Sequence, residues 1–310
     1  MPPRCATEPS LLPNIVFQIK ATLSHPDMTQ IYRSISALQS ALQRQRTKGS
    51  RIGVVPTMGA LHDGHLSLVK AAQKDCDFVI VTIFVNPTQF NNAQDLTTYP
   101  RSEEADLALL NDLHVDAAFL PDVEEIYPNG HSTKISLDGP AQRLEGEMRP
   151  KHFDGVATVV AKLFSITQAE RSYFGEKDWQ QLQVIKTVVK DLNLPIKVIG
   201  CPTLREEDGL ALSSRNRLLD KTTRTIATNL IQEMRLARER LHLGGKVEEI
   251  LIQGRDALVK AGFNHVDYFE LCDGLTLQPL STLQENARIL VAAQLGRVRL
   301  IDNISADAQA

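Results

Sequence analysis

Apolar residues along the first two thirds of the chain form short continuous runs that alternate with longer segments of helical spacing. The runs at residues 52–55 and 78–85 predict strands buried on both faces, as in a parallel sheet, and further strands are predicted at residues 117–120, 172–174 and 196–199. The spaced segments predict helices at residues 31–43, 66–72, 103–114, 156–166 and 179–192. This alternation predicts an α/β fold with a doubly wound parallel sheet.

The pattern changes after residue 203. A polar loop over residues 205–216 precedes two predicted helices, at 221–242 and 247–261, which Gly244 and Gly245 separate. Short β-like runs then alternate over residues 266–304. We therefore expect a larger α/β domain over residues 28–203 and a smaller α+β domain over 204–310 that closes over it. Residues 1–27 contain five prolines and are interpreted as a poorly ordered N-terminal extension.

Composition narrows the class of protein. Apolar residues make up 43% of the 310 residues, and the net charge is −3. Because a phosphate-tracking surface needs clustered Lys and Arg, and no dense basic block is found, nucleic acid is not expected as a partner. No apolar run is long enough to span a bilayer, so no membrane partner is expected. Four scattered cysteines without a CxxC pair indicate reduced thiols in a cytoplasmic protein and make a zinc site improbable.

The stretch PTMGALHDGH at residues 56–65 joins the first predicted strand to the next helix. Open α/β sheets bind ligands at such a turn, where free helix N–H groups and the helix dipole favour an anion. His62 and His65 add imidazole donors, and Gly59 and Gly64 remove Cβ atoms that would hold a phosphate away from the backbone. The sequence therefore predicts a phosphate-binding turn; the alternative for a bare HxGH motif is two surface histidines.

This turn resembles the HIGH signature of the nucleotidylyltransferase and class I aminoacyl-tRNA synthetase superfamily, and the full ten-residue string resembles the pantothenate synthetase family. Further matching stretches follow in order at residues 86–90, 144–150, 174–181, 208–216 and 299–303. The resemblance covers about residues 28 to 304. It implies a Rossmann-like fold and a homodimer.

The same resemblance implies a reaction. In it, (R)-pantoate and β-alanine are joined at the expense of ATP through a pantoyl adenylate, releasing pyrophosphate and then AMP, with Mg²⁺ required. This reaction belongs to the biosynthesis of pantothenate (vitamin B5) and coenzyme A. The expected partners are therefore the small molecules pantoate, β-alanine and ATP.

Site residues carry over position by position. The resemblance implies catalytic roles for His62, His65, Lys177 and Arg215. It implies ATP contacts at three segments: Met58, Gly59, Ala60, Leu61, His62, Asp63, Gly64 and His65; Gly175, Glu176, Lys177 and Asp178; and Leu204, Leu212, Ser213, Ser214 and Arg215. The last three residues occupy the place of the superfamily's KMSKS loop, and Leu212 stands where the family usually has Met. Both side chains are apolar and similar in volume, so we expect adenine packing to survive.

The resemblance implies a pantoate pocket of Gln89, Gln181, Pro56, Thr57, Met58 and Asn86, with Gln89 also near β-alanine. Asp106 is a candidate Mg²⁺ ligand through water. Ordinary structural roles remain open for several of these residues: core packing for Met58, a helix N-cap for Asp178, a strand-end cap for Asn86, and exposed helix positions for Gln181 and Asp106. Arg149 and His152 are expected at the mouth of the site. Glu145 either orients Arg149 or forms a plain surface ion pair.

Two other functions compete with the ligase. Another nucleotidylyltransferase of the superfamily would share HxGH and take a phosphorylated acceptor, for which more basic residues than Gln89 and Gln181 would be expected. A non-catalytic nucleotide- or RNA-binding module would not need the intact set of His62, His65 and Lys177 with the serine–arginine loop.

Overall fold

A six-stranded parallel sheet is the centre of the larger part of the molecule. The computed structural model describes residues 28–307, apart from the side chains of residues 93–95. The strands are β1 (Gln30–Tyr32), β2 (Ile52–Thr57), β3 (Phe78–Ile83), β4 (Ala117–Phe119), β5 (Arg171–Gly175) and β6 (Lys197–Cys201). Their spatial order is β1-β4-β3-β2-β5-β6, with every pair parallel. From β2 the chain continues outward through β3 to β4, whereas from β5 it continues outward to β6 on the other side. A topological switch point therefore lies between β2 and β5.

Helices cover both faces of this sheet. The helices of this part of the chain are α1 (Ile35–Thr47), α2 (Asp63–Asp75), α3 (Ala93–Thr98), α4 (Glu103–Asp112), α5 (Val123–Ile126), α6 (Glu145–Met148), α7 (His152–Thr167) and α8 (Trp179–Asp191). One apolar cluster packs α1, α7 and α8 against one face, and a second packs α2 and α4 against the other. The predicted doubly wound fold is thus confirmed.

The remaining chain forms a separate α+β unit. After α9 (Lys221–Ala227), α10 (Asn229–His242) and α11 (Val247–Ala261) come three strands, β7 (His265–Asp273), β8 (Ala287–Leu295) and β9 (Val298–Ser305). These form an antiparallel sheet in the order β7-β8-β9, with its own apolar cluster. The predicted α+β class of this region is confirmed, and the boundary at residue 203 stays a prediction. The N-terminal extension lies outside the described residues.

Two predicted helices differ from the structure. The helix expected at 31–43 begins at Ile35, because Ile31 lies in β1, which pairs with β4. The helix expected at 221–242 is two helices separated at Thr228. Within residues 28–307, none of the helices combines the length and hydrophobicity needed to cross a bilayer.

Candidate active site

The HxGH turn lies at the switch point of the sheet. It follows the carboxyl end of β2, and α2 begins at Asp63. Lys177 lies two residues beyond the end of the neighbouring strand β5, in a short 3-10 turn before α8. Two of the three segments that the sequence assigned to ATP thus follow the carboxyl ends of adjacent strands.

The backbone of this turn is held by Asp106 of α4. Its Oδ2 accepts the N–H of Ala60 at 2.9 Å and its Oδ1 accepts that of Leu61 at 2.7 Å. Gly59 and Ala60 have left-handed backbones, with φ angles of 79° and 51°, respectively. A Cβ on Gly59 would lie 2.9 Å from Asp106 Oδ2. The N–H groups of Ala60 and Leu61 therefore bind a carboxylate of the protein itself and are not free for phosphate.

The two glycines leave room for neighbouring side chains, and their expected role in the approach of a phosphate stays a prediction. A Cβ on Gly64 would lie 2.8 Å from Cε1 of His62, and the N–H of Gly64 donates to His62 Nδ1 at 3.1 Å. The His62 and His65 rings lie with centroids 4.2 Å apart. Among the described residues, no acceptor meets the N–H groups of Asp63 and His65. These first-turn donors remain for an anion.

Both imidazoles are neutral at ordinary pH. Burial, and then the neighbouring His62, lower the pKa of His65 to about 3. Burial, followed by the positive charges of Lys177 and Arg217, lowers the pKa of His62. His65 Nδ1 is itself buried without a hydrogen-bond partner in the described part of the chain. The pair is suited to donating neutral N–H hydrogen bonds, since the imidazolium of His65 is scarce near pH 7.

Lys177 and the serine–arginine loop bring positive charge to the same place. Lys177 Nζ lies 3.6 Å from Asp178 Oδ1, and the Lys177 side chain is 18% exposed. Desolvation opposes ionisation of Asp178, but Lys177 and Arg215 outweigh it and lower the pKa of that carboxyl. Asp178 occupies the N-cap position of α8 without capping it by its side chain. The N-cap position considered for Asp178 is therefore confirmed, but its side chain does not supply the capping hydrogen bond.

Two side chains near this cluster were not predicted. Tyr99, in the segment between α3 and α4, lies near Ser214 and Arg215; burial raises the pKa of its phenol. Arg217 lies near enough to His62 to lower its pKa. Arg217 could have been suspected from its position two residues after Arg215, whereas no local pattern marks Tyr99.

The loop that carries Ser213 packs onto the HxGH turn. Ser213 Oγ accepts the N–H of Arg215 at 3.3 Å. Leu212 donates its N–H to the carbonyl of Leu204 at 3.0 Å, and its Cβ lies 3.8 Å from the position of a Cβ on Gly64. The structure thus brings the predicted loop and turn together.

Gln89, one of the predicted pantoate residues, has a buried side chain with two hydrogen-bond partners. It is 8% exposed, its Oε1 accepts from Asn86 Nδ2 at 2.9 Å, and its Nε2 donates to Met58 Sδ at 3.3 Å. His152 Nδ1 lies 2.8 Å from the Gln89 carbonyl oxygen and therefore carries the proton. Because a thioether is a weak acceptor, the Gln89 amide keeps donor capacity for a ligand.

Gly155 lets α7 approach this segment. A Cβ on Gly155 would lie 2.5 Å from the Thr88 carbonyl oxygen and 2.7 Å from Gln89 N. Burial, followed by the nearby Arg149, lowers the pKa of His152 to about 4. A neutral His152 can accept from Arg149 Nη1, which lies 3.3 Å from its Nε2.

The other predicted pantoate residues differ in whether their polar groups already have hydrogen-bond partners within the protein. Asn86 Nδ2 also donates to the Gly155 carbonyl, and its Oδ1 accepts from Tyr127 Oη at 2.8 Å. The Thr57 hydroxyl donates to the Thr82 carbonyl at 2.7 Å. Gln181 is half-buried rather than exposed, with no hydrogen-bond partner for its amide among residues 28–307. Asn86 and Thr57 are engaged within the protein, while Gln181 offers a free amide.

Two carboxylates differ from their expected surface positions. Asp106 is 2% exposed, so the alternative of an exposed helix acid is wrong, and its role as a metal ligand stays a prediction. Glu145 is 6% exposed and binds Arg299 through both oxygens at 2.7 and 2.8 Å, whereas Arg149 lies 4.0 Å away. The surface ion pair expected for Glu145 is therefore wrong. The described residues contain no group of three or more His, Cys, Asp or Glu side chains able to hold a metal ion.

Comparison with known proteins decides the family. The model of the pantoate-beta-alanine ligase family matches residues 30–305. The chain belongs to this family. The pantothenate synthetase of Cereibacter sphaeroides is 52% identical over 277 residues, which cover 89% of this chain and 99% of that protein. The enzyme of Roseobacter denitrificans is 53% identical over 274 residues, covering 88% and 96% of the two chains.

Similar solved structures support the same family assignment. Pantothenate synthetase from Thermus thermophilus has a TM-score of 0.84 and 45% identity, covering 90% of this chain and 99% of that one. The Francisella tularensis ligase, solved with β,γ ATP and β-alanine, has a TM-score of 0.76 and 39% identity, covering 90% and 98%. Pantoate–β-alanine ligases are enzymes that form a carbon–nitrogen bond.

Proposed function

We propose that this chain joins (R)-pantoate to β-alanine in two steps at the edge of the sheet between β2 and β5. A pantoate carboxylate oxygen attacks the α-phosphorus of ATP, and pyrophosphate leaves. The β-alanine amine then attacks the acyl carbon of pantoyl adenylate, and AMP leaves as the amide forms. The observation that carries this proposal is that His62, His65 and Lys177 lie together at one edge of the sheet, while the buried amide of Gln89 contacts Met58 of the same turn.

The first step brings a carboxylate to a highly anionic triphosphate. Lys177 and Arg215 offset this repulsion, and the neutral imidazoles of His62 and His65 donate hydrogen bonds to the phosphate oxygens. Because the pKa of His65 is about 3, we assign it charge stabilisation through a neutral N–H rather than proton donation. No acid–base transfer is required for pyrophosphate to leave.

The pantoate and β-alanine side uses uncharged amides. Gln89 contacts an amide and a thioether, and the Gln181 amide has no hydrogen-bond partner within the described part of the chain. Such groups can hydrogen-bond the hydroxyl and carboxylate of pantoate without adding charge. A phosphorylated acceptor would favour a more cationic pocket, so these contacts support the hydroxy acid. The loop at Ser213, which lies on the HxGH turn, would help to exclude water that hydrolyses an acyl adenylate.

Mg²⁺, a homodimer and a cytoplasmic location complete the proposal. The described residues build no cage of carboxylates for a metal, and Mg²⁺ commonly binds through substrate phosphates and water. When bound there, Mg²⁺ would offset phosphate charge, with Asp106 as the candidate contact through water. Family resemblance supports the dimer, which analytical ultracentrifugation would test, and the cytoplasm is supported by the reduced-cysteine composition.

The direct test incubates the purified protein with ATP, Mg²⁺, D-pantoate and β-alanine and follows pantothenate, AMP and pyrophosphate. The expected result is all three products in equal amounts. 4′-Phosphopantetheine and nicotinamide mononucleotide serve as competing acceptors. Transfer of AMP to either of these, without any to pantoate, would overturn the proposed substrate.

A further inference from the structure

Strand β9 carries the sequence RLIDN at residues 299–303, whose polar side chains reach to other elements. Arg299 binds Glu145 of α6, and Asp302 binds both terminal nitrogens of Arg205, at 2.6 and 2.9 Å. Asn303 is 3% exposed and points toward β5 and α8. The reaction just proposed uses none of these side chains.

Asn303 binds the backbone of the segment that carries Lys177. Its Nδ2 donates to the carbonyl of Glu176 at 2.9 Å and to the carbonyl of Lys177 at 2.8 Å. Arg288 Nε donates to Asn303 Oδ1 at 2.7 Å. Because Arg288 has only donors, this contact fixes which end of the amide faces the carbonyls.

The same sheet holds the other end of this segment. The guanidinium of Arg288 stacks on the Trp179 ring, 3.4 Å from its centroid, and Trp179 Nε1 donates to the Gly274 carbonyl at 2.6 Å. Residues 176–179 are thus fixed by β8, β9 and the turn after β7. The smaller sheet thereby positions a segment at the edge of the larger one.

Residues 176–179 need stabilising contacts from other elements of the fold. Lys177 lies at the N-terminal end of α8, where the helix dipole disfavours a cation. Asp178, at the N-cap, makes no capping hydrogen bond with its side chain. The two hydrogen bonds from the buried Asn303 amide offset the unfavourable interaction of the Lys177 ammonium with the helix dipole.

We propose that Asn303 is a positioning residue that sets the backbone of Lys177, and through it the ammonium group that binds the phosphates of ATP. This inference rests on the proposed function. It predicts that Asn303 affects the adenylation step and ATP binding, while the β-alanine step is left unchanged.

The test is a double-mutant cycle of Asn303→Ala with Lys177→Ala, assayed by pantoate-dependent pyrophosphate release. Asn303→Ala alone should lower kcat/KM for ATP by about 10- to 100-fold, with the KM for β-alanine within about twofold. In the Lys177→Ala background the same substitution should have almost no further effect. Asn264→Ala is the control, since Asn264 accepts from Gly296 N at 2.6 Å on the same sheet and should leave the rate unchanged.

If Asn303→Ala fails to fold in a thermal melt, Asn303→Ser, which keeps one donor, replaces it in the cycle. The inference would be overturned if Asn303→Ala lowered kcat/KM for ATP by the same factor in the presence and absence of Lys177. A wild-type rate in the Asn303→Ala single variant would also overturn it. Wild-type protein that releases no pyrophosphate with pantoate would overturn the proposed function and this inference together. An active wild type with an additive cycle would overturn the inference alone.

Discussion

The carboxylate of Asp106 accepts the backbone N–H of Leu61 at 2.7 Å, across 45 residues of sequence. With its second oxygen on Ala60 N, it fixes two successive residues of the HxGH turn. An acidic residue thus holds the backbone of a turn that is expected to receive phosphate. Its negative charge also makes that backbone a poorer direct anion site than a free helix N-terminus.

Replacing Asp106 with Asn should destabilise the turn, because an amide NH₂ would face one of the two N–H donors. We expect a loss of about 1–3 kcal/mol in the free energy of unfolding, together with a lower adenylation rate. Urea unfolding and pyrophosphate release measure the two effects. Asp112→Asn, at the other end of α4, is the matched control and should change neither. Unaltered stability in Asp106→Asn would contradict the role given to this carboxylate.

Gly155→Ala should displace Gln89, since the added Cβ would lie 2.5 Å from the Thr88 carbonyl oxygen. The backbone there must shift, and we expect a rise of about tenfold or more in the KM for pantoate with a smaller change for ATP. Steady-state kinetics with each substrate varied would show this split. Ser165→Ala, on the exposed side of the same helix, should behave as wild type. An equal change in both KM values would count against a specific link to Gln89.

Local patterns in the sequence predicted most of the parallel sheet and the turn at its edge. The runs at β2 and β3 are apolar enough to identify strands without any context, and the HxGH turn follows one of them. Strand β1 was missed because it has only three residues, two of them exposed. Ile31 lies four residues before Ile35, so its spacing imitates a helix.

The supporting contacts of the site could not be predicted because they join residues far apart in sequence. Nothing near Asp106 indicates that it meets Ala60 and Leu61, and nothing near Asn303 indicates a contact with Lys177. Such hydrogen bonds depend on how the sheets and helices pack. The sequence can suggest which residues contact a ligand, but it contains little local information about which residues hold them.

Stability should fall as the pH drops from about 6.5 toward 4. Burial, and then Arg149, lower the folded-state pKa of His152 to about 4, below the unfolded value of about 6.5. The unfolded chain therefore binds more protons in this window, and stability present above pH 6.5 is lost on acidification. His152→Asn removes the titrating imidazole and keeps a donor near the Nδ1 position. The substitution should therefore reduce the slope of unfolding free energy against pH by roughly 1 kcal/mol per pH unit. Urea unfolding between pH 7 and 4.5 measures it; equal slopes for variant and wild type would refute the assignment.

Breaking the buried pair of Glu145 and Arg299 should weaken the contact between α6 and β9. Glu145→Gln leaves the half-buried guanidinium with Asp267 as its remaining carboxylate partner, and we expect a loss of roughly 2–4 kcal/mol. Lys246→Ala, which removes an exposed ion pair, is the control and should cost less than about 1 kcal/mol. Denaturant unfolding compares the two, and similar small losses would show that burial adds nothing to the Glu145 pair.

The central claim is that pantoate's carboxylate attacks the α-phosphorus of ATP at this site. The most direct measurement follows ¹⁸O from pantoate labelled in both carboxylate oxygens during turnover with β-alanine. Attack at the α-phosphorus leaves one labelled oxygen in AMP and the other in the amide carbonyl of pantothenate. AMP that carries one ¹⁸O is the predicted result. Unlabelled AMP, or label in inorganic phosphate formed with ADP, would contradict attack at the α-phosphorus.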